Sequence, residues 1–414
     1  MILGGTLMLP DQGRAVRLAR GTVEVEGSRI VAVCETEPCG SLDLGSLDLG
    51  GEDCLICPGF VDTHLHLPQF DSIGVDGLEL LEWLDKVIFP AEVRWEDPDY
   101  AGAMTERVLD QVAAFGTTAF AAYATVHHEA TTRAIEIIAE RNLRAMVGQV
   151  LMDRHAPEEL VRPARQLLVE ASRLEPCGRV EVAVTPRFAV SCTPELLAAC
   201  GDLAQKTGWA VQTHLAETRP ECRLIGELFD GAAYTTVYER AGLLGPRSIL
   251  AHGVWLDEHE LSLLARTESI IAHCPTANLF LGAGSHDRAL LRQSGVRSCL
   301  GSDVAGGPDR SMVRIGRAMI ETAKNRGAPP PLPAEAWWQI TRGNAETLGW
   351  GGVGSLRSGA EADLLILRPT AGWADSPDPL GALLYGWDDR WLVKTLIDGQ
   401  VVYEAGEVRD QHCR

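Results

Sequence analysis

Between Pro58 and about Trp350 the chain alternates short apolar runs of β type with stretches in which apolar residues recur every three or four positions. One unit shows the logic. Asp97 can cap a helix and Pro98 suits a first helical turn. Tyr100, Met104, Val108, Val112 and Phe115 follow at helical spacing, Gly116 can end the helix, and residues 117–125 read as the next strand. Further strand candidates lie at 60–64, 145–151, 180–185, 209–215, 248–252, 269–273 and 298–302. Eight β runs separated by helical patterns predict an α/β fold, a closed (β/α)8 barrel of the TIM type, in preference to an open doubly wound sheet.

The flanks read differently. The first stretch is rich in Gly and holds β-type runs at 22–25 and 29–33. It also carries Ser-Leu-Asp-Leu-Gly twice, at 41–45 and 46–50; two short copies cannot build a solenoid, and they read as an acidic surface loop or hairpin. Residues 327–333 contain four prolines and cannot continue a helix, so they connect into a last helix at 334–342. Beyond Gly354 the β pattern returns at 363–367, 391–397 and 400–403. The two ends are compositionally alike. They are expected to pair as one small β-sandwich domain, residues 1–57 with 352–414, beside a barrel spanning 58–351.

Charge narrows the partners. With 37 basic against 57 acidic side chains the net charge is −20, which disfavours nucleic acid and anionic membranes as standing partners. No run approaches the ~18 apolar residues of a membrane span. The start has no basic residue before Asp11 and does not read as a secretory signal. The 11 cysteines are scattered and read as free thiols of a cytoplasmic protein. Cys54 and Cys57 sit on a strand pattern, where positions i and i+3 face opposite ways, so that pair is read as structural.

The chemistry gathers at the ends of the β runs. In Pro58-Gly59-Phe60-Val61-Asp62-Thr63-His64-Leu65-His66 the two histidines share a strand face and can offer two imidazoles to one point. That point would be the C-terminal mouth of a barrel, where barrel enzymes place their chemistry. His214 closes another β run with Glu217 three residues on, His252 closes a third, and Asp303 follows a fourth. Any one of these is an ordinary polar residue starting a loop. Their coincidence in this order points to a metal centre of imidazoles and a carboxylate, the donor set of zinc or a similar first-row ion. Such an ion lowers the pKa of water from about 15.7 toward 7, and Glu217, a carboxylate beside it, can move protons.

These segments, together with Ala251-His252-Gly253, His273-Cys274-Pro275 and Gly301-Ser302-Asp303, resemble the mononuclear deaminase branch of the amidohydrolase superfamily. The resemblance implies a (β/α)8 barrel with a β-sandwich from both chain ends, and metal ligands His64, His66, His214 and Asp303. Binuclear members bridge their ions with a carboxylated Lys at the end of strand four. Here that segment reads Val184-Thr185-Pro186-Arg187, which implies one Zn2+ per chain, with Fe2+ as the alternative.

A narrower resemblance is to the guanine deaminases. It is carried by Pro68-Gln69, Leu80-Leu81-Glu82-Trp83-Leu84, Phe89-Pro90-Ala91-Glu92, Ala124-Thr125-Val126-His127, Thr185-Pro186-Arg187-Phe188 and Asp303-Val304-Ala305-Gly306-Gly307. It implies hydrolysis of guanine to xanthine and ammonia, with Glu217, Asp303 and His252 catalytic. Gln69, Arg187, Phe188, His214, Glu217 and His252 would contact the purine, and a homodimer is expected. Arg187 would donate toward the carbonyl, Gln69 can donate and accept, and Phe188 can pack on the ring. His127 matches a family position and is a candidate for a supporting role, and the helical stretch 78–88 is a candidate cover for the substrate or a simple packed helix. His286 and His412 read as exposed.

Departures from the family pattern are Ala277, Pro308-Asp309-Arg310 and the loop 70–77. They leave open a deaminase for another aminated heterocycle, such as 8-oxoguanine, a pterin or a triazine. A non-catalytic scaffold of the same fold should lack the ligands, and this chain keeps them all.

Overall fold

The computed structural model describes residues 1–36, 46–370 and 372–406. Four strands come first: β1 (Ile2–Pro10), β2 (Val16–Glu26), β3 (Arg29–Glu35) and β4 (Leu49–Pro58). The barrel follows with β5 (Phe60–His66), β6 (Thr117–Tyr123), β7 (Arg144–Gly148), the short β8 (Val150–Leu151) and β9 (Val180–Pro186). It continues with β10 (Ala210–Leu215), β11 (Ser248–His252), β12 (Ile270–His273) and β13 (Arg297–Leu300). Every pairing from β5 round to β13 is parallel. All eight predicted runs are strands. The run at 145–151 divides in two, and its second piece, β8, pairs with β9.

The seam between β13 and β5 is closed by backbone bonds at the mouth: Asp303 N–H donates to His64 O at 2.8 Å and His66 N–H to Val304 O at 3.0 Å. Deeper in, the buried Asp62 Oδ1 accepts from the N–H groups of His64 (3.1 Å) and Ser302 (2.9 Å). At the opposite end the buried Asn344 spans the seam. Its Nδ2 donates to Val61 O (2.7 Å) and Leu300 O (2.8 Å), while its Oδ1 accepts from Leu300 N–H (2.9 Å). The interior is filled by small and branched side chains from every strand, among them Val61, Ala119, Met146, Ala183, Ala210, Ile249, Ile270 and Cys299. Leu348, Trp350 and Val353 plug its floor. The barrel interior is therefore a packed core, and the predicted site residues line a cavity at its mouth.

After the barrel come β14 (Leu364–Leu367), β15 (Leu392–Ile397) and β16 (Gln400–Glu404). They join the first four strands in one seven-stranded sheet, ordered β16-β15-β14-β4-β1-β2-β3, so both chain ends meet in one unit as their shared pattern predicts. Leu3, Leu7, Val23, Ile56, Leu364 and Leu396 build the core on one face. The other face, with Met8, Leu55, Leu365 and Leu392, packs on the helices Met312–Asn325 and Pro333–Trp338. Cys54 belongs to the first core and Cys57 to the second, as opposite-facing strand positions require. The first pentapeptide copy, 41–45, and His412 lie outside the described residues; the second copy leads into β4, which begins at Leu49.

Candidate active site

Each ligand candidate lies at or just beyond the C-terminal end of a barrel strand, and three of the critical turns use a left-handed backbone that non-glycine residues seldom adopt. Ala216, just before Glu217, has φ 48°, His252 φ 75° and Asp303 φ 53°. Strain of this kind persists where the surrounding structure over-determines it and it serves to aim a side chain. The result is convergence. His66 Nε2 and His214 Nε2 lie 3.2 Å apart, and Asp303 Oδ1 lies 3.1 Å from His64 Nε2 and 3.4 Å from His66 Nε2. The four side chains are buried and offer one ligand atom each to a common point.

Burial pushes the imidazoles of His64, His66 and His214 well below the ordinary histidine value, so they stand as neutral ligands. His214 Nδ1 donates to Arg187 O at 2.7 Å, which fixes the tautomer that leaves the Nε2 lone pair pointing inward. Tyr123, at the end of β6, forms the floor, its ring centroid 4.7 Å from that of His66 and 4.9 Å from that of His214.

A second set overlaps the first. His252 Nε2 is 3.4 Å from Glu217 Oε2 and 3.9 Å from Asp303 Oδ2. His252 Nδ1 is tied to Asn278 Oδ1 at 2.9 Å, so Nε2 faces the cavity. Burial pushes the Glu217 carboxyl up to about 8, against the pull of His252. Burial opposes the charge on His252, but Glu217 and Asp303 together hold it above its ordinary value. The Glu217 backbone is fixed by Glu221, whose Oε2 accepts from Glu217 N–H at 2.9 Å.

Above these groups opens a cavity. One wall is apolar: Leu80, Trp83 and Leu84 from the stretch predicted as a cover, with Leu281 and Phe188. Trp83 Nε1 donates to Val75 O at 3.1 Å, which ties this cover to the unfamiliar loop. The facing wall is polar. Arg187 and Gln69 are both buried, and a third residue joins them: Glu92 accepts from Arg187 Nη1 at 2.7 Å on both carboxylate oxygens and from Gln69 Nε2 at 2.9 Å. Every predicted site residue except His64 lines the cavity, and His64 lies beneath it among the ligands. His127 is not among the lining residues, and neither are Ala277, the loop 70–77 or residues 308–310. Arg310 turns outward over Phe115, 4.9 Å from the ring centroid.

A profile of the amidohydrolase family matches residues 55–402. The chain belongs to the amidohydrolase family. Guanine deaminase of Escherichia coli (strain K12) is 35% identical over 368 residues, 84% of this chain and 83% of that protein. A solved structure of E. coli guanine deaminase superposes with TM-score 0.91 at 31% identity, covering 98% of this chain and 99% of the other. Guanine deaminase of Dictyostelium discoideum is 33% identical over 371 residues, 84% of this chain and 82% of that protein. The guanine deaminase of C. acetobutylicum, solved with guanine in its active site, superposes with TM-score 0.89 at 26% identity, covering 97% of this chain and 99% of that one.

For this amidohydrolase the donor set fits a metal cofactor. Around a four-coordinate ion with bonds of about 2.0–2.1 Å, ligand atoms stand roughly 3.3 Å apart. Three of the separations are 3.1, 3.2 and 3.4 Å, and all four ligand atoms lie within 4.8 Å of one another. His64 Nε2 is buried with no hydrogen-bond partner among the described residues, as expected of an atom kept for a metal.

Sequence reasoning assigned no role to Glu92, Asn278 or Tyr123. Glu92 stood in a quoted motif, but a Glu on a helix ordinarily reads as a solvated face. One histidine needs correcting. His286, read as exposed, is buried and stacks on His273 with ring centroids 4.2 Å apart; its Nδ1 lies 3.2 Å from His252 O. Asp287 caps the helix Arg288–Gln293, and the neighbouring His286 is buried.

Proposed function

We propose that this amidohydrolase cleaves the exocyclic C2–N bond of guanine, taking up one water and releasing xanthine and ammonia. The observation that carries this reading is the polar wall: a buried guanidinium and a buried carboxamide set side by side across the cavity from the metal ligands. Arg187 donates to the C6 carbonyl of the purine. Gln69 answers the adjacent ring N–H. Adenine carries an amine where guanine has that carbonyl, and it would leave Arg187 unpaired in a closed site. Mismatches of this type discriminate by about 10⁴ or more. Phe188 and the leucines of the cover pack on the ring faces. The named relatives and the guanine-bound neighbour support the same substrate.

His64, His66, His214 and Asp303 would hold one zinc ion per chain, with iron as the alternative. Bound there, the ion supplies a Lewis acid that makes water nucleophilic near neutral pH. Glu217 takes a proton from the attacking water and delivers it to the ring nitrogen beside C2. His252 holds the attacking oxygen through Nε2. Asp303 accepts the remaining proton and passes it to the departing amine. Residues 58–351 carry this chemistry, and the chain ends, 1–57 and 352–414, form the supporting β domain.

The absence of disulfides among the described cysteines fits a cytoplasmic setting, and two-fold assembly is the commonest closed form for such a chain. Among the described residues no helix is long and apolar enough to cross a membrane. The substrate is tested on purified, metal-replete protein by ultraviolet absorbance and ammonia release. Guanine is expected to exceed adenine, 8-oxoguanine, a pterin and ammeline by at least about tenfold in kcat/KM, roughly 1.4 kcal/mol of transition-state stabilisation. A faster pterin or triazine would overturn the guanine reading and keep the metal-dependent deamination.

A further inference from the structure

We infer that Glu92 fixes the hydrogen-bonding sense of the substrate wall, making this site read a lactam edge, O=C–N–H, and reject an amino edge. This inference rests on the guanine reading above and adds a specificity-determining residue to it. Glu92 sits on the helix Phe89–Val93 and is 1% exposed.

Gln69 is the group through which Glu92 acts first. A carboxamide has a donor end and an acceptor end of nearly the same shape, so on its own it can present either to a ligand. In this protein both ends are committed. Nε2 donates to Glu92 Oε1 at 2.9 Å, and Oε1 accepts from the backbone N–H of Ala305 at 3.3 Å. Turning the amide over would set its carbonyl oxygen against the carboxylate and its NH2 against that N–H. An ionised carboxylate only accepts, so it tolerates one orientation of Gln69 and not the other. The second lone pair of Gln69 Oε1 is left as an acceptor for the cavity.

Arg187 is held by the same carboxylate. Its Nη1 reaches both Glu92 oxygens at 2.7 Å, and the ring of Phe89, from the same helix, lies 5.5 Å from the guanidinium carbon. With Nη1 engaged, the other guanidinium N–H groups remain as donors. One buried carboxylate therefore sets a donor beside an acceptor, which complements a carbonyl next to a ring N–H. A 6-amino purine presents a donor next to an acceptor and mismatches both. Glu92 also balances the charge of Arg187, so the wall suits a neutral ring. Glu92 touches no reacting atom in this scheme; it is a positioning residue acting through Gln69 and Arg187.

The test compares guanine with 2,6-diaminopurine, which carries the same reacting 2-amine and differs at the edge in question. Replacing Glu92 by Gln (Glu92→Gln) provides an amide that can accept or donate, so Gln69 is released to turn. The expected result is a fall in kcat/KM for guanine of about 10² or more, a guanine-to-diaminopurine preference reduced at least about tenfold, and unchanged metal content. Glu92→Asp keeps an acceptor-only group and should retain most of the preference even where its rate is low. In a Gln69→Leu background, adding Glu92→Gln should change the preference little, because the group it acts through is gone. Equal loss of rate on both purines in Glu92→Gln, or loss of preference in Glu92→Asp as complete as in Glu92→Gln, would overturn the inference. A parent protein inactive on guanine but active on another heterocycle would instead overturn the substrate reading, so the two failures are distinguishable.

Discussion

The backbone N–H of Asp303 donates to the carbonyl of His64 at 2.8 Å, and the side chains of the same two residues meet at 3.1 Å between Oδ1 and Nε2. One pair thus closes the barrel seam and brings together two metal ligands. The carboxylate and the three buried imidazoles of the ligand set meet at this joint. Occupancy of the site and strength of the seam are therefore linked.

Metal removal should consequently destabilise the fold as well as abolish activity. A ligand that binds only the folded state adds about 4 kcal/mol at a thousand times its Kd. Stripping the protein with a chelator should lower its apparent thermal midpoint by several degrees, and one equivalent of zinc or iron per chain should restore it. Elemental analysis checks the stoichiometry. Activity that tracks a second equivalent would defeat the mononuclear reading, and an unchanged midpoint after full removal would break the link with the seam.

Replacing Glu217 by Gln keeps the shape of the side chain and removes the proton carrier. The backbone of Glu217 is fixed independently by Glu221, so the substitution should leave the turn intact. Turnover should fall at least about 10²-fold while metal content and substrate affinity stay near those of the parent. Near-normal turnover in a metal-replete variant would take Glu217 out of the proton path.

What was legible in the sequence follows from where each residue sits. His64, His66, His214, His252 and Asp303 each end an apolar β run, and strand periodicity with barrel topology carries such residues to one mouth. Glu92 and Asn278 act across the fold, 95 residues from Arg187 and 26 from His252, and no local pattern announces such partners. The stretch 78–88 read as one helix because its apolar spacing is helical. In the structure it is a short α turn, Leu80–Trp83, followed by a wider π turn, Leu84–Ile88, that brings Leu80, Trp83 and Leu84 to the cavity. The burial of His286 depends on its stacking against His273 at the end of β12, a contact that no local pattern announces.

Asn344 offers a test of the seam away from the chemistry. Its side chain makes three bonds to strand backbone groups of β5 and β13 where the barrel would otherwise leave them unpaired. Asn344→Ala should cost about 2–4 kcal/mol, since several buried polar groups lose their partners together. Denaturant unfolding measures this, with metal-replete protein on both sides. A loss below about 0.5 kcal/mol would mean that the floor of the barrel closes without Asn344.

The last prediction concerns how the chain ends are held to the barrel and carries a pH signature. Arg179, just before β9, meets Asp363 at 2.6 Å and also pairs with Glu361, while Arg144 at the start of β7 meets Glu361 at 2.7 Å. Burial works against the charge on Glu361, but Arg144 and Arg179 hold its carboxyl below the ordinary value. Asp363 is more deeply buried, and there burial wins over Arg179 and raises its carboxyl. The signs oppose. Glu361 contributes stability above its unfolded pKa that is lost as pH falls through its lower folded value. Asp363 works against stability as pH rises toward its raised folded value. In the parent the two partly cancel.

Arg179→Met removes the cation common to both, which raises the two carboxyls together and leaves buried negative charge near neutral pH. Breaking such a pair from one side costs about 3–5 kcal/mol. The difference between parent and variant should be largest near pH 7 and should shrink as the pH falls through the raised carboxyl values of the variant, where Asp363 and Glu361 take up protons. Unfolding curves for both proteins from pH 7 down to pH 3.5 would show it. A difference that stays constant across that window would mean that the Arg179 side chain acts through packing and not through its charge.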